Sequence, residues 1–335
     1  MTKLKIGDHW IGEKESTYII AEAGINHNGK LNNALKIIDK AKESGANAVK
    51  FQTFLAEDLA SEKSKFFKLF KKLELSNNEF RKLNEYANKK KIEFFSTPFS
   101  FDAVDLLVDL NVPAIKIASG DLTNIPLIQY VSSKKKPMIL STGMAKISEI
   151  KDAVKSIKSQ KNHKIAILHS TSSYPSPLNE VNLNAIKNLQ KSFRNVIGYS
   201  DNGNNLLVPV IAVSLGAKII EKHFTLNKNL PGPDHVISAN PKEFTDLVKN
   251  IRKIEEMLGD GIKKCQPSEL QNLVQARRSI TARVEILKGE KIKKEFLDFK
   301  RPATGIAPKF IKKIIGKTVK KNIHKDESIK WNELT

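Results

Sequence analysis

The chain alternates between short, nearly continuous apolar runs and longer stretches in which apolar residues recur at helical spacing. The first run, residues 18–21, ends at the carboxylate Glu22 and a loop rich in Gly and Asn, and a helical pattern opens at Leu31. Continuous apolar runs of this length indicate strands buried on both faces, as in parallel sheets. Seven further runs share this layout, at 48–53, 93–98, 114–119, 137–142, 165–170, 196–201 and 219–224. Eight strands alternating with helices predict an α/β fold, a (β/α)₈ barrel whose strand ends form one active face.

The last helix of the series carries start and stop signals. Asn240 can cap it, Pro241 occupies its first position, Glu243 can complete a capping box, and Gly259 ends it. A Phe- and Lys-rich insertion around 66–70 has the composition of an amphipathic helix packed on the barrel.

The residues beyond this helix predict a second, smaller unit. A polar segment follows Gly259, and short β-type runs with a turn at 288–290 occupy the rest of the chain. We assign 1–262 to the barrel, 263–277 to a linker and 278–335 to a small β-rich domain. This last domain has too few apolar residues to be a catalytic body by itself.

Composition describes a globular protein: 40% of the 335 residues are hydrophobic and 28% are charged. The single cysteine, Cys265, excludes an internal disulfide and suits a reducing compartment. The start of the chain is polar, and the longest apolar run, 206–215, contains Pro209 and is too short to span a bilayer. We expect a cytoplasmic protein with no membrane segment.

The formal net charge of +21 raises the question of an anionic partner. The lysines are scattered over predicted helix faces, as at Lys36, Lys40 and Lys151, and few aromatic residues are interleaved with them. This scatter favours a solvated surface over a nucleic-acid site, and we expect no nucleic-acid partner. A positive field would still help to collect small anionic substrates.

Polar side chains gather at the predicted strand ends. They are Glu22, Lys50, Gln52, Thr97, Lys116, Ser119, Asp121, Ser141, Ser200, Asp201, Glu221 and His223. Lysines on barrel strands can bind phosphate or carboxylate, form a Schiff base, or pair with carboxylates structurally. The surrounding hydroxyls favour an anion site, because a Schiff-base lysine requires drier, less anionic surroundings.

Histidines and one rigid loop supply further candidates. His223, at the end of the eighth predicted strand, is a candidate metal ligand or a structural histidine. We interpret His169 as a hydrogen-bonding core residue and His27 as a loop residue. The segment 231–235, Pro-Gly-Pro-Asp-His, either presents the Asp234 carboxylate to a substrate or is a plain turn.

Taken together, these motifs resemble those of the sialic acid synthase family. The resemblance covers nearly the whole chain through AEAGINHNG (21–29), VKFQT (49–53), FSTPF (95–99), IKIASGD (115–121), ILSTGM (139–144), GYSD (198–201), IEKHFTL (220–226), PGPDH (231–235) and KRP (300–302). Members condense phosphoenolpyruvate with N-acyl amino sugars to make nine-carbon keto acids. The resemblance implies a (β/α)₈ barrel followed by an antifreeze-like (SAF) domain, and a domain-swapped homodimer in which that domain covers the partner's barrel.

The resemblance also implies roles for individual residues. The positions matching phosphoenolpyruvate contacts are Lys50, Thr97, Lys116, Ser119, Ser141, Ser172 and Ser200. The positions matching sugar contacts are Glu22, Gln52, Asp121, Tyr174, Asp234 and Arg301. Arg301 matches an arginine that reaches the N-acyl group in the neighbouring subunit, and we expect Glu22, Lys50, Lys116 and Arg301 to act in catalysis.

One position departs from the family pattern. His223 matches one of two histidines that hold a divalent metal, Mn²⁺ or Mg²⁺, but Asn202 stands where the other histidine is usual. An amide oxygen can still bind a hard cation, although more weakly. We expect a retained but weaker metal site formed by His223 and Asn202; a dispensable metal is the alternative.

The sequence leaves the sugar open. N-acetylmannosamine would make this an N-acetylneuraminate synthase, whereas a 6-deoxy-2,4-diacetamido sugar would make it a legionaminate or pseudaminate synthase. A Schiff-base aldolase and a non-catalytic sugar-binding protein are the alternative classes.

Overall fold

A closed barrel of parallel strands forms the larger part of the computed structural model, which describes residues 3–335. Its strands are β3 (Tyr18–Gly24), β4 (Ala48–Thr53), β5 (Glu93–Pro98), β6 (Ile115–Ile117), β7 (Met138–Ser141), β8 (Ile165–Ser170), β9 (Val196–Asp201) and β10 (Ile219–His223). They follow one another in chain order, and β10 closes the barrel against β3 with His223 opposite Glu22. The predicted (β/α)₈ barrel is confirmed. The predicted strand at 114–119 is shorter than expected, because a 3₁₀ turn over Ser119–Asp121 ends β6 early.

Helices connect the strands and cover the outside of the barrel. They are α1 (Leu31–Glu43), α2 (Ala56–Leu59), α3 (Phe67–Leu73), α4 (Asn77–Lys90), α5 (Phe101–Asp109), α6 (Ile125–Ser133), α7 (Ile147–Ser159), α8 (Asn184–Ser192), α9 (Leu207–Ser214) and α10 (Pro241–Leu258). The predicted capping box of α10 is present: Glu243 N donates to Asn240 Oδ1 at 3.0 Å, and Asn240 N donates to Glu243 Oε2 at 3.0 Å. None of the helices within residues 3–335 is both long enough and apolar enough to cross a bilayer.

The core of this unit lies between the barrel strands and the helices. Phe51 and Phe94 on adjacent strands pack with ring centroids 5.6 Å apart, and both are almost fully buried. Burying one such side chain contributes about 1.5–3 kcal/mol to stability. This packing fixes the strands, so that their polar ends have defined positions.

A short hairpin that the sequence did not predict precedes the barrel. Its strands, β1 (Leu4–Ile6) and β2 (His9–Ile11), pair antiparallel. Ile6 and Ile11 are buried in the barrel core, and Asp8 N donates to Glu93 Oε1 at the start of β5. The hairpin therefore lies against the barrel at the opposite end of the strands from the polar tips.

The chain divides into two compact units, Met1–Gly259 and Asp260–Thr335. The second unit contains α11 (Leu270–Ala276), the antiparallel pair β11 (Ser279–Ala282) and β12 (Leu297–Lys300), and α12 (Ile311–Ile314). It has its own core, which includes Ile280, Ile286 and Ile323. Helix α11 lies entirely within the segment 263–277 that we predicted to be a linker; none of its residues is buried, so the sequence shows no clear apolar face there.

Candidate active site

A cavity of about 630 Å³ opens at the carboxyl ends of the barrel strands. It brings together most of the residues singled out from the sequence: Glu22, Lys50, Gln52, Thr97, Lys116, Ser119, Ser141, Tyr174, Ser200, Asn202, His223 and Asp234. Side chains alternate along a strand, so Lys50 and Gln52 on β4 both point inward. Ligands of barrel proteins bind at this end of the strands.

The floor of the cavity is a buried network of two lysines and two glutamates. Lys50 Nζ lies 2.8 Å from Glu22 Oε2 and 3.8 Å from Glu221 Oε2, and Lys116 Nζ lies 3.5 Å from Glu221 Oε1. All four side chains are almost completely buried. Burying an unpaired charge costs much free energy, and the pairing of opposite charges offsets that cost for these four groups.

The network shifts the pKa values of its members in different directions. Burial favours the neutral form of each group, and it raises the pKa of Glu22 despite the opposing attraction of Lys50. Burial also lowers the pKa of Lys116 to about 8, against the attraction of Glu221. For Glu221, burial is outweighed by Lys116 and Lys50, and its pKa is lowered; for Lys50, burial is outweighed by Glu22 and Glu221, and its pKa is raised. The site thus holds a firmly cationic lysine beside a glutamate that retains its proton more readily than usual.

Hydroxyl groups surround the two lysines. Lys50 Nζ donates to Thr97 Oγ1 at 3.0 Å, and Ser200 Oγ donates to Glu221 Oε1 at 3.0 Å. The buried hydroxyls of Ser141 and Ser172 make no hydrogen bond within residues 3–335. Of these two, Ser141 lines the cavity together with both lysines, and its unpaired hydroxyl is a donor available to an anionic ligand there.

Gly143 allows two of the serines to approach each other. Its backbone N donates to Ser119 Oγ at 3.0 Å. A Cβ at this position would lie 2.9 Å from Ser119 Oγ and even closer to Ser172 Oγ. Ser172 therefore lies beside Ser119, although its side chain lines the adjoining pocket rather than the main cavity.

A second polar group lies at the other side of the cavity. Gln52 Nε2 donates to Glu22 Oε1 at 3.3 Å, and both atoms lie within 3.5 Å of the Cβ position at Gly24, as does Asp234 Oδ2. Gly24 has a φ of +52°, so the strand turns here without a side chain that would separate these groups. The 231–235 loop thus directs the Asp234 carboxylate into the cavity rather than forming only a turn.

His223 and Asn202 offer donors for a divalent cation. His223 Nδ1 makes no hydrogen bond within the described residues and lies 3.7 Å from Asp234 Oδ2. The Asn202 amide nitrogen donates to Ser170 Oγ and to the Thr171 carbonyl, which leaves its carbonyl oxygen available. Within residues 3–335, no three His, Cys, Asp or Glu side chains form a metal-binding group. An imidazole nitrogen and an amide oxygen are donor types that would suit a divalent cation with few protein ligands.

Asp121 and Arg301 do not line this cavity; Arg301 was predicted to act in the site of a neighbouring subunit. Asp121 is on the 3₁₀ turn after β6, is only partly buried and accepts a hydrogen bond from Asn124 Nδ2 at 3.3 Å. It is not among the cavity-lining residues, because that turn follows the inward-facing end of the strand. Arg301 belongs to the Asp260–Thr335 unit and is exposed there.

The structure adds residues that sequence reasoning did not assign. Glu221 was placed on the active face without a role, yet it pairs with both lysines. An apolar side of the cavity was missed altogether; it is lined by Ile25, Phe66, Leu69, Phe70 and Phe99. The only sequence signal for this apolar side was the Phe-rich insertion around 66–70. The prediction for His169 is confirmed: its Nε2 lies 2.8 Å from the Val181 carbonyl.

Fold and cavity together define a (β/α)₈-barrel protein with a buried cluster of two lysines and two glutamates at its strand ends. Residues 37–263 match the model of the NeuB family, and residues 277–335 match that of the SAF domain. The chain therefore belongs to the NeuB, or sialic acid synthase, family and carries a C-terminal SAF domain.

Individual relatives match over most of their length. An uncharacterized protein of Methanocaldococcus jannaschii is 49% identical over 334 residues, covering 100% of this chain and 99% of its own. The N,N'-diacetyllegionaminic acid synthase of Legionella pneumophila is 42% identical over 341 residues, covering 96% of each chain. A crystal structure of the N-acetylneuraminic acid synthetase of Leptospira borgpetersenii, in complex with citrate, has a TM-score of 0.78 at 40% identity, covering 81% of this chain and 95% of that one.

Proposed function

We propose that this protein condenses phosphoenolpyruvate and water with the open-chain form of an N-acyl amino sugar, giving a nine-carbon 2-keto acid and phosphate. The observation that carries the proposal is the buried Lys50–Glu22–Glu221–Lys116 network beside unpaired serine hydroxyls. Phosphoenolpyruvate carries a carboxylate and a phosphate, and such a cluster of cations and donors is suited to hold both.

The chemistry divides between the two sides of the cavity. The enol carbon C3 of phosphoenolpyruvate attacks the aldehyde carbon of the sugar, and the aldehyde oxygen takes up a proton as it becomes a hydroxyl. Glu22, whose raised pKa favours the protonated carboxyl, lies on the sugar side and can supply that proton. Water adds to C2 and loses one proton. The tetrahedral intermediate then expels phosphate, and the proton of its C2 hydroxyl leaves with the phosphate as the ketone forms. The pKa of Glu221 is lowered, because the attraction of Lys116 and Lys50 outweighs the effect of burial. Its carboxylate can therefore accept the proton from water.

A divalent cation, Mn²⁺ or Mg²⁺, is part of the proposal. His223 and the Asn202 amide oxygen would hold it, with Asp234 nearby. When bound, such an ion polarises a carbonyl oxygen and favours attack on the aldehyde carbon. Because Asn202 replaces an imidazole with a weaker amide donor, we expect weak retention of the metal.

We also propose that Arg301 completes the site of a neighbouring subunit in a domain-swapped homodimer. Its exposure in the Asp260–Thr335 unit leaves the guanidinium free to meet an acyl carbonyl. Mixing Lys50→Met and Arg301→Ala proteins tests this directly. A swapped dimer regains activity, because one of its two sites then has both residues; an unswapped protein regains none.

One observation on Lys116 favours an alternative function, a Schiff-base aldolase: a pKa of about 8 leaves more of its amine unprotonated near neutral pH than in an ordinary lysine. Its 3.5 Å contact with Glu221 favours the cation instead. Borohydride trapping of pyruvate on the protein would support the aldolase.

The test is a phosphate-release assay with phosphoenolpyruvate and each of several N-acyl amino sugars, with and without Mn²⁺. Release that depends on a sugar supports the proposal. No release with any sugar contradicts it and favours a sugar-binding protein.

A further inference from the structure

The loop after β10, which carries Asp234, is tied to the loop after β3 by buried side chains. Asn26 Nδ2 donates to the Phe224 carbonyl at 2.9 Å and to Ser238 Oγ at 2.8 Å. Ser238 Oγ in turn donates to the backbone carbonyl of Asp234 at 2.5 Å. Asn26 and Ser238 are almost fully buried, so bulk water does not compete for these hydrogen bonds.

A second connection joins the same two loops. His235 Nε2 lies 3.3 Å from Asn28 Oδ1, and His235 Nδ1 lies 2.7 Å from Thr225 Oγ1. The imidazole is fully buried, and each of its nitrogens has a hydrogen-bond partner. A buried polar ring is stable only where its nitrogens are satisfied, so these contacts fix the backbone next to Asp234.

The Asp234 carboxylate depends on this backbone for its direction. Asp234 Oδ2 lies 3.7 Å from His223 Nδ1, beyond hydrogen-bond distance, and the carboxylate accepts no hydrogen bond from any residue in 3–335. It nevertheless points into the cavity, where Asp234 Oδ2 and Glu22 Oε1 each lie 3.4 Å from the Cβ position at Gly24. The position of the carboxylate is therefore set by the loop that carries it.

The choice of asparagine at position 26 is explained by its two N–H donors. Asn26 Oδ1 is buried and makes no hydrogen bond within the part of the chain that the structure describes. An unpaired buried acceptor costs free energy, so this side chain is not the one that stability alone would favour. An aspartate of the same shape would have no N–H donor for Phe224 and Ser238.

We infer that Asn26 is a positioning residue, which acts through Ser238 to hold the Asp234 carboxylate where the sugar binds. The inference rests on the proposed function, in which Asp234 contacts the sugar. Asn26 itself does not line the cavity. Without its two hydrogen bonds the Asp234 loop can shift, and a displacement of about 1 Å at a substrate-positioning group can lower the rate by about 100-fold.

Asn26→Ala tests the inference, and Asn162→Ala is the matched control. Asn162 is buried to the same extent, and its Nδ2 also donates to a backbone carbonyl at 2.9 Å. It lies just before β8, at the end of the barrel away from the cavity. We expect Asn26→Ala to lower kcat/KM for the sugar by about 10- to 100-fold with an unchanged KM for phosphoenolpyruvate. Asn162→Ala should leave both constants unchanged.

A double-mutant cycle with Asp234→Ala distinguishes positioning from a general structural role. If Asn26 acts through the Asp234 carboxylate, Asn26→Ala has little further effect on kcat/KM for the sugar once that carboxylate is absent. Equal losses in the presence and absence of the carboxylate overturn the inference.

Ser238→Ala is a second variant, and it serves if Asn26→Ala does not fold. It removes the hydroxyl that links Asn26 to Asp234 and leaves the Asn26–Phe224 hydrogen bond in place. We expect a loss of kcat/KM for the sugar that the Asp234→Ala background suppresses, and no loss overturns the inference.

The unsubstituted protein separates this inference from the proposed function. If it releases phosphate with an N-acyl amino sugar and Asn26→Ala is equally active, the inference fails and the proposed function stands. If it releases phosphate with none of the sugars, the proposed function fails and the inference fails with it.

Discussion

Lys50 Nζ lies 2.8 Å from Glu22 Oε2, where β3 and β4 pair these two residues side by side. The strand register therefore places the Lys50 ammonium beside the Glu22 carboxylate at the inner end of the cavity. Glu221 approaches the same ammonium at 3.8 Å. One lysine thus contacts both carboxylates on which the proposed proton transfers depend.

Lys50→Met should lower kcat/KM for phosphoenolpyruvate by about 100-fold or more, because a buried charged donor to the anion is lost. Steady-state kinetics with each substrate varied separately measures the effect. Lys40→Met, at an exposed helix position, is the control and should be neutral. Near-normal turnover of Lys50→Met would remove this residue from the site. Circular dichroism must show that the variant folds, because it leaves two buried glutamates with less compensation.

The pH dependence should reflect Lys116. Its pKa of about 8 means that the ammonium is present below this pH and is lost above it. The affinity of the free enzyme for an anionic substrate should therefore fall as the pH rises through 8, giving an alkaline limb in kcat/KM for phosphoenolpyruvate. In Lys116→Arg the charge persists, so a surviving limb at the same pH would contradict this assignment.

Glu221→Gln should move that limb to lower pH. The attraction of Glu221 opposes the effect of burial on Lys116, and the neutral amide removes it. The Lys116 amine then loses its proton at lower pH. The pH profile of kcat/KM measures the shift; an unmoved limb would show that another group titrates.

A buried ion pair behind the site should stabilise its loops. Lys222 Nζ lies 2.9 Å from Asp201 Oδ2 and donates to the carbonyls of Gly203 and Ile237, so it ties together the loops after β9 and β10. Lys222→Met leaves the Asp201 charge buried and should cost about 3–5 kcal/mol, lowering the melting temperature by roughly 10 °C. Adding Asp201→Asn should recover part of the loss. A melting temperature unaffected by Lys222→Met would show that the pair is not a stabilising contact.

Metal retention should depend on Asn202. Exhaustive chelation should reduce activity, and added Mn²⁺ should restore it. Asn202→His replaces an amide oxygen with imidazole and should tighten Mn²⁺ binding, as measured by calorimetry on the substrate-free protein. Activity unaffected by chelation would eliminate the metal from the proposal.

The sequence predicted those parts of the fold that depend on continuous patterns. Strands such as Glu93–Pro98 match their predicted bounds. A strand that is buried on both faces is apolar along its whole length, so the ends of the apolar run mark the ends of the strand. The β1–β2 hairpin escaped prediction because three-residue strands are too short to show alternation.

The sequence predicted which side chains lie at the strand ends, but it did not predict which of them contact one another. Strand ends gave the positions of Lys50 and Lys116, but the choice of Glu221 as their shared partner depends on barrel closure, which brings β10 beside β3. The apolar side of the cavity comes partly from an insertion, whose Leu69 and Phe70 pack against the buried cluster that contains Phe54. Asp121 lies on the 3₁₀ turn that ends β6 early, and of that turn Ser119 lines the cavity while Asp121 does not, so its role as a sugar contact stays a prediction.

The most direct measurement traces the three carbons of phosphoenolpyruvate into the product. The protein is incubated with phosphoenolpyruvate carrying ¹³C at all three carbons, an N-acyl amino sugar and Mn²⁺, and the product is examined by mass spectrometry. The account predicts a keto acid that contains all three labelled carbons joined to the intact sugar, formed in equal amount with phosphate. Label found only in phosphoenolpyruvate or free pyruvate, with the sugar unchanged, would contradict it.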